Sequence, residues 1–280
     1  MSQVRGRWTK VLIAAIAVVA FVPVGTAAAS TLQSTPAVSG AAKPTIVFVH
    51  GAFADSSSWN ATIGALQVLG FPVVAAANPL RGLTSDSDYV RALLQTIPGP
   101  IVLVGHSYGG AVIGNAARGV PNVKALVFIA AFELDQGESL ATTPDPAQFP
   151  GGEIGPDTTI ARPVPNAASP TGTDVDLTVK PEDFQRVFAA DVPRIRTAIM
   201  AATQRPLTVT ALTQPSGAPA WKTIPSWALI TLEDKAIPPA GQRFMAQRSG
   251  AHIETVHSSH AVMVSHPEAV IRITLEAARA

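Results

Sequence analysis

The chain has 280 residues, a net charge of +1, no cysteine, 47% hydrophobic residues and only 14% charged ones. That charged fraction lies well below the roughly 25% of an average soluble protein, and no basic run follows the N-terminus, so nothing supports nucleic-acid binding. Without cysteine there is no disulfide framework, thiol nucleophile or thiolate metal site.

The chain opens with Arg5, Arg7 and Lys10, then an apolar run over 11–22, then Pro23, Gly25 and Ala27-Ala28-Ala29-Ser30. A basic segment, a short apolar segment and a small-residue site predict a signal peptide over 1–29, cleaved after Ala29. The apolar run is shorter than the roughly 20 residues a membrane span needs, so no stable insertion is expected after cleavage. The expected location is secreted or periplasmic. Residues 30–43, polar with Ala, Thr and Pro, read as a flexible leader.

An α/β core is expected over 44–132 and 220–280. Thr45 to Val49 is a β-branched apolar strand ending in His50-Gly51-Ala52-Phe53. Asp55 to Ser58 offers caps for a helix over about 59–69, and 72–76 is the next strand. Ser85-Asp86-Ser87-Asp88 opens a helix over about 89–97. Ile101 to Val104 is a buried strand running into Gly105-His106-Ser107-Tyr108-Gly109, followed by small and apolar residues that form a helix. Strand, sharp turn and helix with serine at the apex is the context in which a G-x-S-x-G motif carries a nucleophile. Another strand follows over 123–129.

The strand–helix alternation breaks over 133–219, a stretch rich in Pro, Gly, Thr and Asp. Two helices are expected there, about 182–190 and 192–203, with Phe184, Val187, Phe188, Ile195, Ile199 and Met200 as their apolar content. This insertion reads as a cap, with 135–178 its expected mobile part. Alternation resumes with a strand over 226–232, a helix over 238–248, a strand over 252–256 and a helix over 267–278. The expected fold class is α/β: a doubly wound, mostly parallel sheet of about six strands with helices on both faces and an inserted cap.

A serine hydroxyl needs a base to take its proton, and the base needs a carboxylate to orient it. Downstream of Ser107 the acid candidates are Glu233 and Asp234. Asp234 is preferred, lying further into the turn on a shorter arm. Of His252, His257, His260 and His266, only His260 lies in the loop between the last strand and the last helix. The oxyanion hole needs two backbone donors. One is Tyr108 N–H; the other comes from the loop after the first strand, Ala52 first and Phe53 second. His50 and His106 are expected to support these loops rather than react. No cysteine or carboxylate joins the histidines at a ligand-like spacing, so no metal site is expected.

These segments together resemble the α/β-hydrolase fold superfamily, and within it the small esterase branch that includes plant methyl esterases and hydroxynitrile lyases. The resemblance rests on His50-Gly51-Ala52-Phe53, Gly105-His106-Ser107-Tyr108-Gly109-Gly110, Glu233-Asp234-Lys235-Ala236-Ile237-Pro238 and Ser259-His260-Ala261-Val262-Met263. It covers about 45–132 and 221–280; the cap carries little of it. In that superfamily an acid commonly sits four residues before a proline, as Asp234 does before Pro238. The superfamily's earliest antiparallel strands are absent or abbreviated here.

The expected function is a secreted serine hydrolase: a carboxylesterase acting on a small, neutral, moderately apolar ester or lactone through a Ser107–His260–Asp234 triad, with no cofactor. Phe53, Tyr108, Ile237 and Val262, with Phe184, Phe188 and Trp221, are the expected acyl-pocket residues. A lyase or C–C hydrolase on the same triad is the alternative, for which Lys235 is the extra basic group. A non-catalytic binding protein on the same fold is a second. Oligomeric state is not legible in the sequence.

Overall fold

A computed structural model describes residues 43–280. The expected signal peptide and nearly all of the expected leader lie outside the described residues. In chain order the strands are β1 (Thr45–Val49), β2 (Val73–Ala76), β3 (Ile101–His106), β4 (Val123–Ile129), β5 (Thr159–Pro165), β6 (Thr173–Val179), β7 (Leu207–Thr208), β8 (Ser226–Thr231) and β9 (His252–Val256). The helices are α1 (Asn60–Val68), α2 (Leu83–Gln95), α3 (Tyr108–Ala116), α4 (Pro181–Phe188), α5 (Arg194–Thr203), α6 (Val209–Thr213), α7 (Pro239–Ser249), α8 (Val262–Ser265) and α9 (Pro267–Ala277).

Six strands form one parallel sheet in the order β2-β1-β3-β4-β8-β9. β1, β3 and β4 are almost wholly buried, which explains their continuous apolar runs: a parallel strand covered on both faces has no solvent side to mark with polar residues. Helices α1 and α9 pack together against one face, and α2 and α3 cover the other with α7. From β1 the chain steps to β2 on one side, then crosses back to β3 on the other. This reversal leaves a crevice beyond the strand C-termini, where open α/β sheets bind ligands. Val49 pairs with Gly105 across it, so the loops after β1 and β3 emerge side by side.

α2 begins at Leu83, well before the expected start near residue 89. Asp86 lies inside its first turn, buried, and accepts hydrogen bonds from the backbone N–H groups of Arg81 and Gly82. The acidic run therefore caps from within the helix.

Between β4 and β8 the chain builds the cap. α4 buries Phe184, Val187 and Phe188, spaced three and four apart on one face, each worth about 1.5–3 kcal/mol relative to exposure. Ile195 and Ile199 on α5, expected to pack, are exposed. The stretch expected to be mobile instead supplies β5 and nearly all of β6, which form an antiparallel sheet with β7 further along the cap. Its prolines, Pro163 and Pro165, sit on an edge strand, where a missing N–H costs no ladder bond. Arg81 ties this sheet to the core, donating to Asp176 at 2.7 Å and to Pro206 O at 2.9 Å.

Candidate active site

β3 ends at His106 and α3 starts at Tyr108, so Ser107 alone makes the reversal. Its φ of 54° and ψ of −124° put a non-glycine residue in a strained region that costs on the order of 1–3 kcal/mol. The surroundings hold it there: Ser107 N–H donates to Ile129 O at 3.2 Å, and Ser107 O accepts from Gly110 and Phe132. The glycines are steric necessities. A Cβ at Gly105 would lie 2.5 Å from Gly109 O, and one at Gly51 would lie 2.7 Å from Ser107 Cβ.

His260 Nδ1 is 2.7 Å from Asp234 Oδ2, and both side chains are buried. Asp234 is fixed on every side. Its Oδ1 accepts from the N–H groups of Ala236 and Ile237, and its Oδ2 accepts from Thr231 Oγ1 and Gln242 Nε2. A carboxylate accepting from donors on both oxygens is held in one orientation, and as an acceptor it makes Nδ1 the protonated ring nitrogen. Nε2 is then the free base. Glu233, the other acid candidate, is largely exposed and lies beside His257, 3.5 Å from its Nδ1. His252 stacks on Trp227, and His266 pairs with Glu268 at 3.1 Å.

His106 Nε2 donates to His260 O at 2.9 Å, with the two rings 4.6 Å apart. Burial, reinforced by the neighbouring His260, holds His106 well below the usual histidine range, so it is a neutral support. His50 Nδ1 donates to Gly51 O, and burial likewise lowers its pKa.

The two oxyanion-donor alternatives separate on one hydrogen bond. Phe53 N–H donates to Arg205 O at 2.9 Å and is already used. The expectation that Phe53 serves as a second-choice donor is thereby corrected: its N–H points to the cap, at the carbonyl of Arg205. Among the described residues Ala52 N–H and Tyr108 N–H have no such partner. Tyr108 N–H sits at the N-terminus of α3, where the helix dipole favours negative charge. The Tyr108 ring is buried, and its hydroxyl donates to Asp86 Oδ2 at 2.7 Å.

Ser107 and His260 both line a cavity of about 510 Å³, within the range of small-molecule sites. Ala52, Phe53, Tyr108, Ala236 and Ile237 line it from the core loops, while Leu140, Ile154, Leu177, Leu207 and Leu212 close it from the cap. Among the described residues that line it, none carries an Asp, Glu, Lys or Arg side chain. Val262 is not there either. It is fully buried in the first turn of α8, and its expected place in the pocket is corrected. Phe184, Phe188 and Trp221 are also outside it: Phe188 packs edge-on against the His260 ring at 4.9 Å, Phe184 stacks behind Phe188, and Trp221 Nε1 donates to Leu134 O. Lys235, the extra basic residue beside the acid, is 3.1 Å from Glu153 of the cap and does not line the cavity.

Two supports of the acid escaped sequence reasoning. Gln242 lies eight residues beyond Asp234, one helical turn into α7, and Thr231 closes β8. The carboxylate's burial is the signal that such partners must exist.

A family model described as the alpha/beta hydrolase family matches residues 46–273. An alpha/beta hydrolase, nvfD, of Aspergillus novofumigatus is 26% identical over 84% of this chain and 97% of its own length. A putative chloroplastic methylesterase 11 of Arabidopsis thaliana is 28% identical over 83% of this chain and 63% of its own length. Among solved structures, polyneuridine aldehyde esterase superposes with a TM-score of 0.69 at 18% identity, covering 84% of this chain and 98% of the other.

Proposed function

The chain belongs to the alpha/beta hydrolase family, and from that premise we propose that it is a secreted serine carboxylesterase for small, neutral, moderately apolar esters or lactones. The observation that carries this reading is the Asp234–His260 hydrogen bond at the rim of the same cavity that Ser107 lines from its strained turn. Ser107 Oγ attacks the ester carbonyl and His260 Nε2 takes its proton. Asp234 keeps the proton on Nδ1 fixed and stabilises the imidazolium. Ala52 and Tyr108 N–H groups receive the developing oxyanion. His260 then returns the proton to the leaving alcohol, and a water activated by the same nitrogen releases the acid.

Kinship with a putative methylesterase favours an ester substrate, and a wall without charge favours a neutral one. Lys235 pairs with Glu153 and does not line the cavity, which weighs against the lyase alternative. Export belongs to the reading through residues 1–29, and N-terminal sequencing of the exported protein tests it.

The direct test is hydrolysis of short p-nitrophenyl esters by the wild type and by Ser107→Ala. Turnover that vanishes in the variant supports the mechanism; turnover that persists rejects it. Cyanide release from a cyanohydrin would instead support the lyase. Failure of a fluorophosphonate to label Ser107 would favour the binding protein.

A further inference from the structure

His260 is carried by residues 257–261, which lie between β9 and α8 and belong to neither. A base must be held to within a fraction of an ångström of its productive position, so something must fix this loop. The core supplies part of the restraint. Glu233 N–H donates to Ser258 O, His106 donates to His260 O, and Asp234 takes the ring proton.

The remainder comes from the cap. Asp191, in the turn between α4 and α5, turns its carboxylate onto the two residues preceding His260. Oδ1 accepts from Ser259 Oγ at 2.5 Å. Oδ2 accepts from Ser258 Oγ at 2.8 Å and from Ser259 N–H at 3.1 Å. Ser265 Oγ lies 3.0 Å from Ser258 Oγ, extending the network to α8. The basic group beside it is His266, whose Nε2 is 3.8 Å away. Burial opposes ionisation of Asp191, but the hydrogen bonds from Ser259 and Ser258 outweigh it and hold the carboxyl below the usual range. It is thus a charged acceptor, and such hydrogen bonds are the strong ones. Three residues earlier, the Phe188 ring bears on the imidazole itself.

We propose that Asp191 is a positioning residue for His260: its carboxylate grips Ser258 and Ser259 so that the cap, and not the core alone, sets where the catalytic imidazole stands. The residue does not line the cavity. It acts only through the loop it grips. The role rests on the triad reading given above.

The test is a double-mutant cycle on the intact chain, with Asp191→Ala, Ser258→Ala/Ser259→Ala and the triple variant. Each of the first two is expected to lower kcat by about ten- to a hundred-fold, the cost of a misplaced catalytic group, with KM shifted less than about three-fold. The triple variant should lose no more than the larger single effect, because both changes delete one contact. Asp191→Asn keeps one acceptor oxygen and should recover part of kcat. A kcat unchanged in Asp191→Ala, or losses that add in the triple variant, overturns the proposal. So does a change in KM and melting temperature alone, since that is what a purely structural anchor would give.

A second readout separates this proposal from the triad reading. The hydrogen-bonded Nδ1–H of His260 gives a downfield proton resonance whether or not the protein turns over an ester. Its loss or broadening in Asp191→Ala supports the positioning role even if no esterase activity is found. An unchanged resonance refutes the role, even in an active esterase.

Discussion

Tyr108 donates its phenolic proton to Asp86 Oδ2 at 2.7 Å, so the residue proposed to offer a backbone N–H to the oxyanion is moored by its own side chain to a different helix. Burial raises the pKa of Asp86, and burial and then Asp86 itself push Tyr108 well above the usual tyrosine range, so the phenol remains the donor. In Tyr108→Phe the carboxylate keeps only the N–H groups of Arg81 and Gly82. The expected cost is about 1–3 kcal/mol of stability, as for any buried polar group that loses its partner. Urea unfolding should show the larger difference at neutral pH, where the carboxylate needs the donor, and the smaller one in acid.

Asp234→Asn should leave the fold intact and lower kcat by about 10⁴-fold, because an amide accepts or donates at Nδ1 without fixing the tautomer. Glu233→Gln, on an exposed side chain beside His257, should change kcat little. Steady-state ester hydrolysis by the two variants decides which carboxylate serves the histidine.

Glu133 gives a signature in stability against pH. It is buried just beyond β4, accepts Ser249 Oγ at 2.6 Å, and burial raises its pKa to about 8 from 4.5. The folded state therefore holds a proton that the unfolded chain has released between those values. Stability from this group is complete below pH 4.5 and is lost as pH rises toward 8, by on the order of a few kcal/mol. Glu133→Gln, neutral throughout, should flatten that slope. Chemical denaturation of both proteins across this interval checks it.

The strands of the parallel sheet and the serine turn were legible because each has a local cause. β3 is apolar because both its faces are covered, and Gly105 is glycine because Gly109 O stands where a Cβ would go. The start of α2 was misjudged because Asp86 looks like an external cap yet lies inside the helix. β5 and β6 were missed because their side chains are largely at the surface and their prolines argue against strands, while the ladder that pairs them is invisible in composition. The second-choice donor role of Phe53 and the pocket place of Val262 failed for a related reason. The N–H of one is consumed by the carbonyl of Arg205, far along the chain in the cap, and the other turns into the core. Asp191 had no local signature at all, because its partners lie 67 and 68 residues downstream.

Substrate length should respond to the cap. Leu177 on β6 faces the cavity, so Leu177→Trp removes part of its roughly 510 Å³. KM for longer acyl chains should rise by about ten-fold, in line with 1–3 kcal/mol for a pocket that no longer fits, while acetyl esters keep their KM. A chain-length series of p-nitrophenyl esters on the two proteins provides the measurement.

The groups assigned to the proposed reaction follow β1, β3, β8 and β9, whereas much of the chamber's wall is contributed by β5, β6, β7 and α6. Admission and reaction are thus encoded in separate stretches of the gene. Library mutagenesis seeking new scope is best confined to positions such as 154, 175, 177, 207 and 212, where a change alters which molecules enter and leaves the cutting apparatus untouched.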